Sequence, residues 1–163
     1  MIKFQAKYIT FLALAITLLN LSCGESPTNN QITNTGNITF QISGSITYNF
    51  DSKSVKIIEP DINTKYLTLY GSKNETNGAR SLVVRLLIED KDQKEYDISE
   101  DNSITFSLNN GATSYKSLNG TFIISSWTKS TFKATFNATL EEIGNPQSII
   151  SIQNGTIEIN TEE

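Results

Sequence analysis

Seven carboxylates, Glu89, Asp90, Asp92, Glu95, Asp97, Glu100 and Asp101, crowd one short segment in which only Lys91 and Lys94 offset them. Such a cluster could hold calcium or supply an acid and base pair. Yet Asp90-Lys91-Asp92-Gln93-Lys94-Glu95 lacks the glycine of an EF-hand loop and sets lysines between the ligands, so it reads as a solvated hairpin tip. A glycosidase pair drawn from this segment with Glu141 or Glu142 would need both acids on one bond, and those two sit at a strand end. The chain has no histidine. That removes Ser-His-Asp and Cys-His catalysis, histidine-ligated zinc and the commonest general base. No glycine-rich phosphate loop follows a strand, and there is no Gly-x-Ser-x-Gly elbow. We therefore expect no enzyme: no catalytic residue, no metal site and no cofactor.

Two kinds of residue remain. Tyr66 and Tyr70 share one face of a strand with Thr68 between them, about 13 Å apart, and Trp127 ends another strand. Exposed rings of this kind stack on sugars. Leu67 and Leu69 oppose them, however, and one face must be inside, so the expectation is that the tyrosines fill the core or pack its edge. The other residue is Cys23, the single thiol.

Cys23 stands at the exit of an N-terminal leader. Lys3 and Lys7 form a positive n-region, and an apolar run follows from Tyr8 to Leu19. A spanning helix needs about 20 apolar residues, and Asn20, Glu25 and Pro27 interrupt this one too early. Asn20-Leu21-Ser22-Cys23 resembles the lipobox of bacterial lipoproteins, in which a small residue precedes a cysteine that is acylated and becomes residue one. Ser22 and Cys23 match, and Asn20 replaces the usual leucine. The alternative is ordinary secretory cleavage after Gly24, which would remove the thiol. Each acyl CH₂ contributes about 0.8 kcal/mol of membrane affinity, so two or more chains on Cys23 anchor the protein unaided. Gly24 takes the place where, in some diderm bacteria, an aspartate signals inner-membrane retention, which implies the outer membrane. The expected address is the bacterial cell envelope, lipid-anchored.

Loss of Lys3 and Lys7 with the leader takes the formal charge from -4 to -6. Nucleic acid and anionic headgroups are poor partners for such a chain. With its one cysteine acylated or removed no disulfide forms, so a hydrophobic core must hold the fold. Ser, Thr and Asn make up about a third of the chain, as half-wet strands and polar turns require. They also generate Asn-x-Ser/Thr sequons at Asn37, Asn74, Asn119, Asn137 and Asn154, read as chance in a protein with a lipobox.

The elements that would position these groups follow from alternation. We expect a signal peptide over 1–22, lipidated Cys23 with a polar tether over 23–36, and one all-β domain over 37–163. Ile38, Phe40 and Ile42 face one way and Thr39, Gln41 and Ser43 the other, and Ile46, Tyr48 and Phe50 repeat the pattern. Further strands are expected over 65–70, 82–88, 104–108, 121–127, 132–140, 149–152 and 156–159. The segment 82–88, apolar on both faces apart from Arg85, reads as a central strand covered on both sides. Turns are expected at Asn77-Gly78, Asp90 to Lys94, Asn110-Gly111, Asn119-Gly120, Gly144-Asn145-Pro146 and Asn154-Gly155. About eight to ten short antiparallel strands follow, arranged as a β-sandwich or, alternatively, as a small up-and-down β-barrel.

The combination of lipobox, polar tether and single β-domain resembles small lipoproteins of Bacteroidota-type bacteria. Their C-terminal halves carry a Tyr-Ser-Gly-Thr-like stretch, a strand of alternating Phe and Ala, and a closing Asn-Gly-x-Phe/Ile. Residues 115–121, 132–140 and 152–157 are similar. The resemblance implies an address and a fold, and no activity. The expected function is a non-catalytic envelope lipoprotein whose β-domain makes structural or protein contacts. The alternative is a binding module for a glycan or small ligand, and the expected partners are the membrane through Cys23 and an envelope protein or glycan.

Overall fold

Strand-forming residues alternate with polar ones along almost the whole of the chain described by the computed structural model, residues 33–60 and 63–160. Cys23, the leader and most of the expected tether lie outside those residues. The described residues form nine strands: β1 (Thr33–Gly44), β2 (Tyr48–Ile58), β3 (Tyr66–Lys73), β4 (Arg80–Leu87), β5 (Glu95–Asp97), β6 (Ser103–Leu108), β7 (Thr113–Trp127), β8 (Thr131–Glu142) and β9 (Asn145–Asn160). Residues 33–36, expected as the end of the tether, already pair with β2 and β9.

Each strand runs antiparallel to its neighbours, and the order β6-β4-β3-β2-β1-β9-β8 is closed by β7, which pairs with β6 on one side and β8 on the other. Eight strands thus form an up-and-down barrel. The ninth, β5, pairs with β7 alone, along the stretch where β7 outruns β6. The expected sandwich is therefore corrected to its alternative, the barrel.

Bulges are the physical reason. Asn119-Gly120 and Asn154-Gly155, expected as turns, lie inside the two longest strands, β7 and β9. Between Thr39 and Gln41 of β1 the register on β9 jumps from Thr156 to Gln153, so β9 holds one extra residue. The same extra residue appears against β8. Asn154 takes it up at φ +53°. In β7 the register jumps between Ser117 and Asn119. An extra residue bends and coils its strand, which lets a sheet curl until its edges meet. It also flips the side-chain alternation. Ile150 and Ile152 point inward before the β9 bulge, and Ile157 and Ile159 after it.

The interior is filled. Phe40 of β1 and Phe106 of β6 stand on opposite sides of the ring, yet their ring centroids are 5.6 Å apart, edge to face. Phe50 stacks on Phe40 at 4.6 Å, and Phe122 on Phe136 at 5.9 Å. Leu67, Leu69, Leu82, Val84, Leu86 and Ile104 belong to the same buried cluster. Among the described residues two polar ones are buried, Ser52 and Ser117, and both serve irregular backbone. Ser52 Oγ donates to Ser72 O at 2.6 Å and accepts from Ser54 N at 3.2 Å, and Ser117 Oγ accepts from Ile104 N at 2.9 Å.

The chain enters the barrel at the end where β1 begins and β9 finishes. There the connection over 88–102 folds inward, burying Ile88, Tyr96 and Ile98. Asn102 fixes it, accepting from Leu87 N at 2.8 Å and donating to Asp97 O at 3.0 Å. Burial holds the Tyr96 phenol above its ordinary pKa. At the far end the β3–β4 loop is latched over β2. Tyr48 donates to Glu75, Arg80 Nε lies 2.8 Å from Glu75 Oε2, and the Arg80 guanidinium sits 3.6 Å above the Tyr48 ring. The Tyr48 hydroxyl, then the Arg80 charge, holds the Glu75 carboxyl below the usual range.

Candidate functional site: the outer wall of the barrel

Because the interior is occupied by its own side chains, the chemistry available to other molecules lies on the outward positions. The wall formed by β8, β9 and β1 presents hydroxyls and carboxamides: Thr135, Asn137 and Thr139, then Gln153, Asn154 and Thr156, then Thr39 and Gln41. Its opposite charges, Lys133 and Glu158, pair with each other at 3.2 Å. This wall lacks the apolar outer band that a membrane-crossing barrel carries. Among the described residues no helix is long and apolar enough to cross one.

The wall formed by β3, β4 and β6 differs. With Leu67 and Leu69 buried, Tyr66 and Tyr70 point outward, which corrects the expectation that they enter the core. The segment 82–88 is likewise corrected. Leu82, Val84 and Leu86 face the interior, but Val83, Arg85 and Leu87 form an uncovered outer face. Tyr66 is opposite Leu87, Thr68 opposite Arg85, and Tyr70 opposite Val83. The Arg85 guanidinium lies 3.7 Å above the Tyr66 ring. Tyr70 keeps 39 % of its surface exposed.

The same wall has a low ledge beside the tyrosines. Ser54, Ser72, Ser81, Ser107 and Ser114 fall in one register across β2, β3, β4, β6 and β7. Four interstrand steps give this row a length of about 19 Å. Ser107 and Ser114 share a hydrogen bond of 2.9 Å. The outward positions of β3, β4 and β6 carry no carboxylate and one charge, Arg85. Lys56 of β2 and Lys116 of β7 stand at the two margins, in the row of Tyr70 and Val83, and Lys116 is directly opposite Glu141 of β8. In an acidic chain this is a cationic face.

The acidic segment sits elsewhere, at the entry end. Its seven carboxylates occupy exposed positions, and among the described residues no three metal-ligating side chains converge. Glu141 and Glu142 end β8, opposite Lys116 and Tyr115 of β7. Trp127 closes β7, its Nε1 donating to Glu59 at 3.4 Å and its ring meeting Phe132 edge to face at 6.0 Å. Cys23 lies outside the described residues. Sequence reasoning missed Arg85 as a surface group, although an arginine within an apolar run was itself the signal of an outward face. The serine row carried no local signal, since its members come from five separate strands. No protein-family model matches the chain, and comparison with curated proteins and with solved structures finds no significant match.

Proposed function

We propose that this chain is a non-catalytic lipoprotein of the bacterial cell envelope, held by lipid on Cys23 at the outer membrane. Its barrel binds a protein partner through the β3–β4–β6 wall. The observation that carries the reading is the Tyr66, Arg85 and Tyr70 surface on a barrel whose interior is already packed. Tyrosine and arginine are the side chains most often found to dominate binding energy, because each offers a large rigid contact with a polar tip. Half-buried Ile58, Val83 and Leu87 supply the surrounding apolar area, and the serine ledge lets a second backbone approach closely. Arg85 and Lys56, with no carboxylate among the outward residues of β3, β4 and β6 and with Lys116 offset by Glu141 opposite it, call for a partner whose contacting surface is acidic. The resemblance to Bacteroidota-type lipoproteins supports the anchor and address.

A photo-crosslinking amino acid placed at Tyr70 in living cells tests the contact, with the same group at Lys133 as the opposite-wall control. The expected result is a discrete protein adduct from position 70 and none from 133. Equal labelling at both positions, or none at 70, overturns the reading. Cys23→Ser tests the anchor: the protein is expected to move from the membrane fraction to the soluble fraction. Continued membrane association would place the anchor elsewhere.

A further inference from the structure

The bulge that bends β9 also opens a cleft on the opposite wall. The extra residue at Gln153 and Asn154 breaks the pleat, and behind it the buried Gly155 leaves room for the Phe136 ring. A Cβ at Gly155 would stand 2.6 Å from the Phe136 ring, so the ring lies flat against the glycine and forms part of the cleft floor. The cleft measures 520 Å³ and is lined by Thr121, Ile123, Thr135, Asn137, Gln153 and Asn154, among others. A smaller hollow of 290 Å³ adjoins it across Asn154, beside Gln41, Asn49 and the carboxylate of Asp51.

We infer that this cleft binds a neutral glycan. The lining carries no charge, which leaves nothing to offset an anionic or cationic ligand. It offers carboxamides and hydroxyls, groups that both donate and accept, as a sugar hydroxyl does. Thr121, Thr135, Asn137 and Gln153 have no side-chain hydrogen bond within the described residues, and Asn154 spends one, donating to Gln41 Oε1 at 3.3 Å. Most of their capacity is therefore open to a ligand. Ile123, 41 % exposed, adds the apolar surface that the C–H face of a sugar ring covers. Asn154 takes the left-handed conformation at the bulge, φ +53°, which turns its exposed carboxamide outward beside Gln153 and Gln41. This site lies on a different wall from the proposed protein contact and does not rest on that reading.

The test is titration of the full-length protein in a sugar-free detergent with neutral oligosaccharides: chito-, manno-, malto- and cello-oligomers. Polygalacturonate serves as the charged comparator. The expected result is saturable binding of at least one neutral oligomer with Kd of about 1 mM or tighter, with backbone amide shifts centred on residues 135–137 and 153–156. Asn154→Gly keeps the backbone conformation and removes the amide, so affinity is expected to fall about tenfold while the melting temperature holds or rises. Asn137→Ala should weaken binding similarly, and Glu100→Gln, at an exposed position of the entry-end connection, should leave it unchanged. The inference is overturned if no neutral oligomer binds at about 10 mM, if polygalacturonate alone binds, or if Asn154→Gly and Asn137→Ala bind as the parent does.

Discussion

The two walls of this barrel share one core and differ in almost everything that faces outward. Around β3, β4 and β6 the ladder is regular over its length, and the outward groups are tyrosines, arginine, aliphatics and a level row of serines. Around β8, β9 and β1 the ladder is interrupted, and the outward groups are amides and hydroxyls around a cleft. A regular ladder makes a flat face, which suits a large, flat partner. An interrupted ladder makes a hollow, which suits a small one. The contrast teaches that in a closed barrel backbone regularity, as much as side-chain type, decides what size of molecule a face can meet.

The sharpest way to break this comparison is to fill a glycine on each side. Gly155→Ala drives a methyl group into the Phe136 ring, which is fixed among other aromatic rings, and should destabilise the fold by about 3 kcal/mol. Gly71→Ala in β3 meets Ile38 Cδ1 at 2.7 Å, the far end of a side chain that can rotate, and should cost about 1 kcal/mol. Urea denaturation midpoints of the two variants decide it, and equal losses would mean that the bulge is no tighter than the regular wall. Next in size is Ser52→Ala, which leaves the Ser72 carbonyl and Ser54 amide without their buried hydroxyl. A loss of about 1–2 kcal/mol is expected in the same assay.

Tyr70→Ala should change stability by less than about 0.5 kcal/mol, because the ring is exposed and its removal opens no cavity. A large loss would show that the flat wall works to hold the barrel together rather than to meet a partner. Smallest is an acid effect at the far end. Glu75 titrates below its ordinary pKa in the fold, so its ionised form stabilises the β3–β4 loop. That contribution is complete above the ordinary glutamate value of about 4.3 and is lost as pH falls through the depressed folded value. Glu75→Gln should therefore flatten the fall of the urea midpoint between pH 5 and pH 2 while leaving both walls, and their binding, unchanged.

Much of this fold was legible in alternation alone. Phe132, Ala134, Phe136, Ala138 and Leu140 point inward along β8 as their period-two spacing predicts, and Lys133, Thr135, Asn137 and Thr139 face out. Asn77-Gly78 and Asn110-Gly111 are turns, with Gly78 at φ +106° and Gly111 at φ +86°. Asn119-Gly120 and Asn154-Gly155 supply the same conformational freedom, Gly120 at φ +149° and Asn154 at φ +53°, but spend it on bulges. A dipeptide can announce that a positive φ is needed there. Whether the chain then reverses or merely bends depends on the strands already pairing on either side of it.

The all-β class, the inside and outside of strands such as β8, and the absence of histidine were determined by residue order, since they rest on local spacing and composition. Closure was not, because β9 meets β1 across more than a hundred residues of chain. Nor was the fate of Tyr66 and Tyr70. Leucines and tyrosines alternate on that strand, and either set could have been buried. The barrel took the leucines, whose side chains fill a dry interior without a hydroxyl needing a partner, and left the tyrosines to the wall.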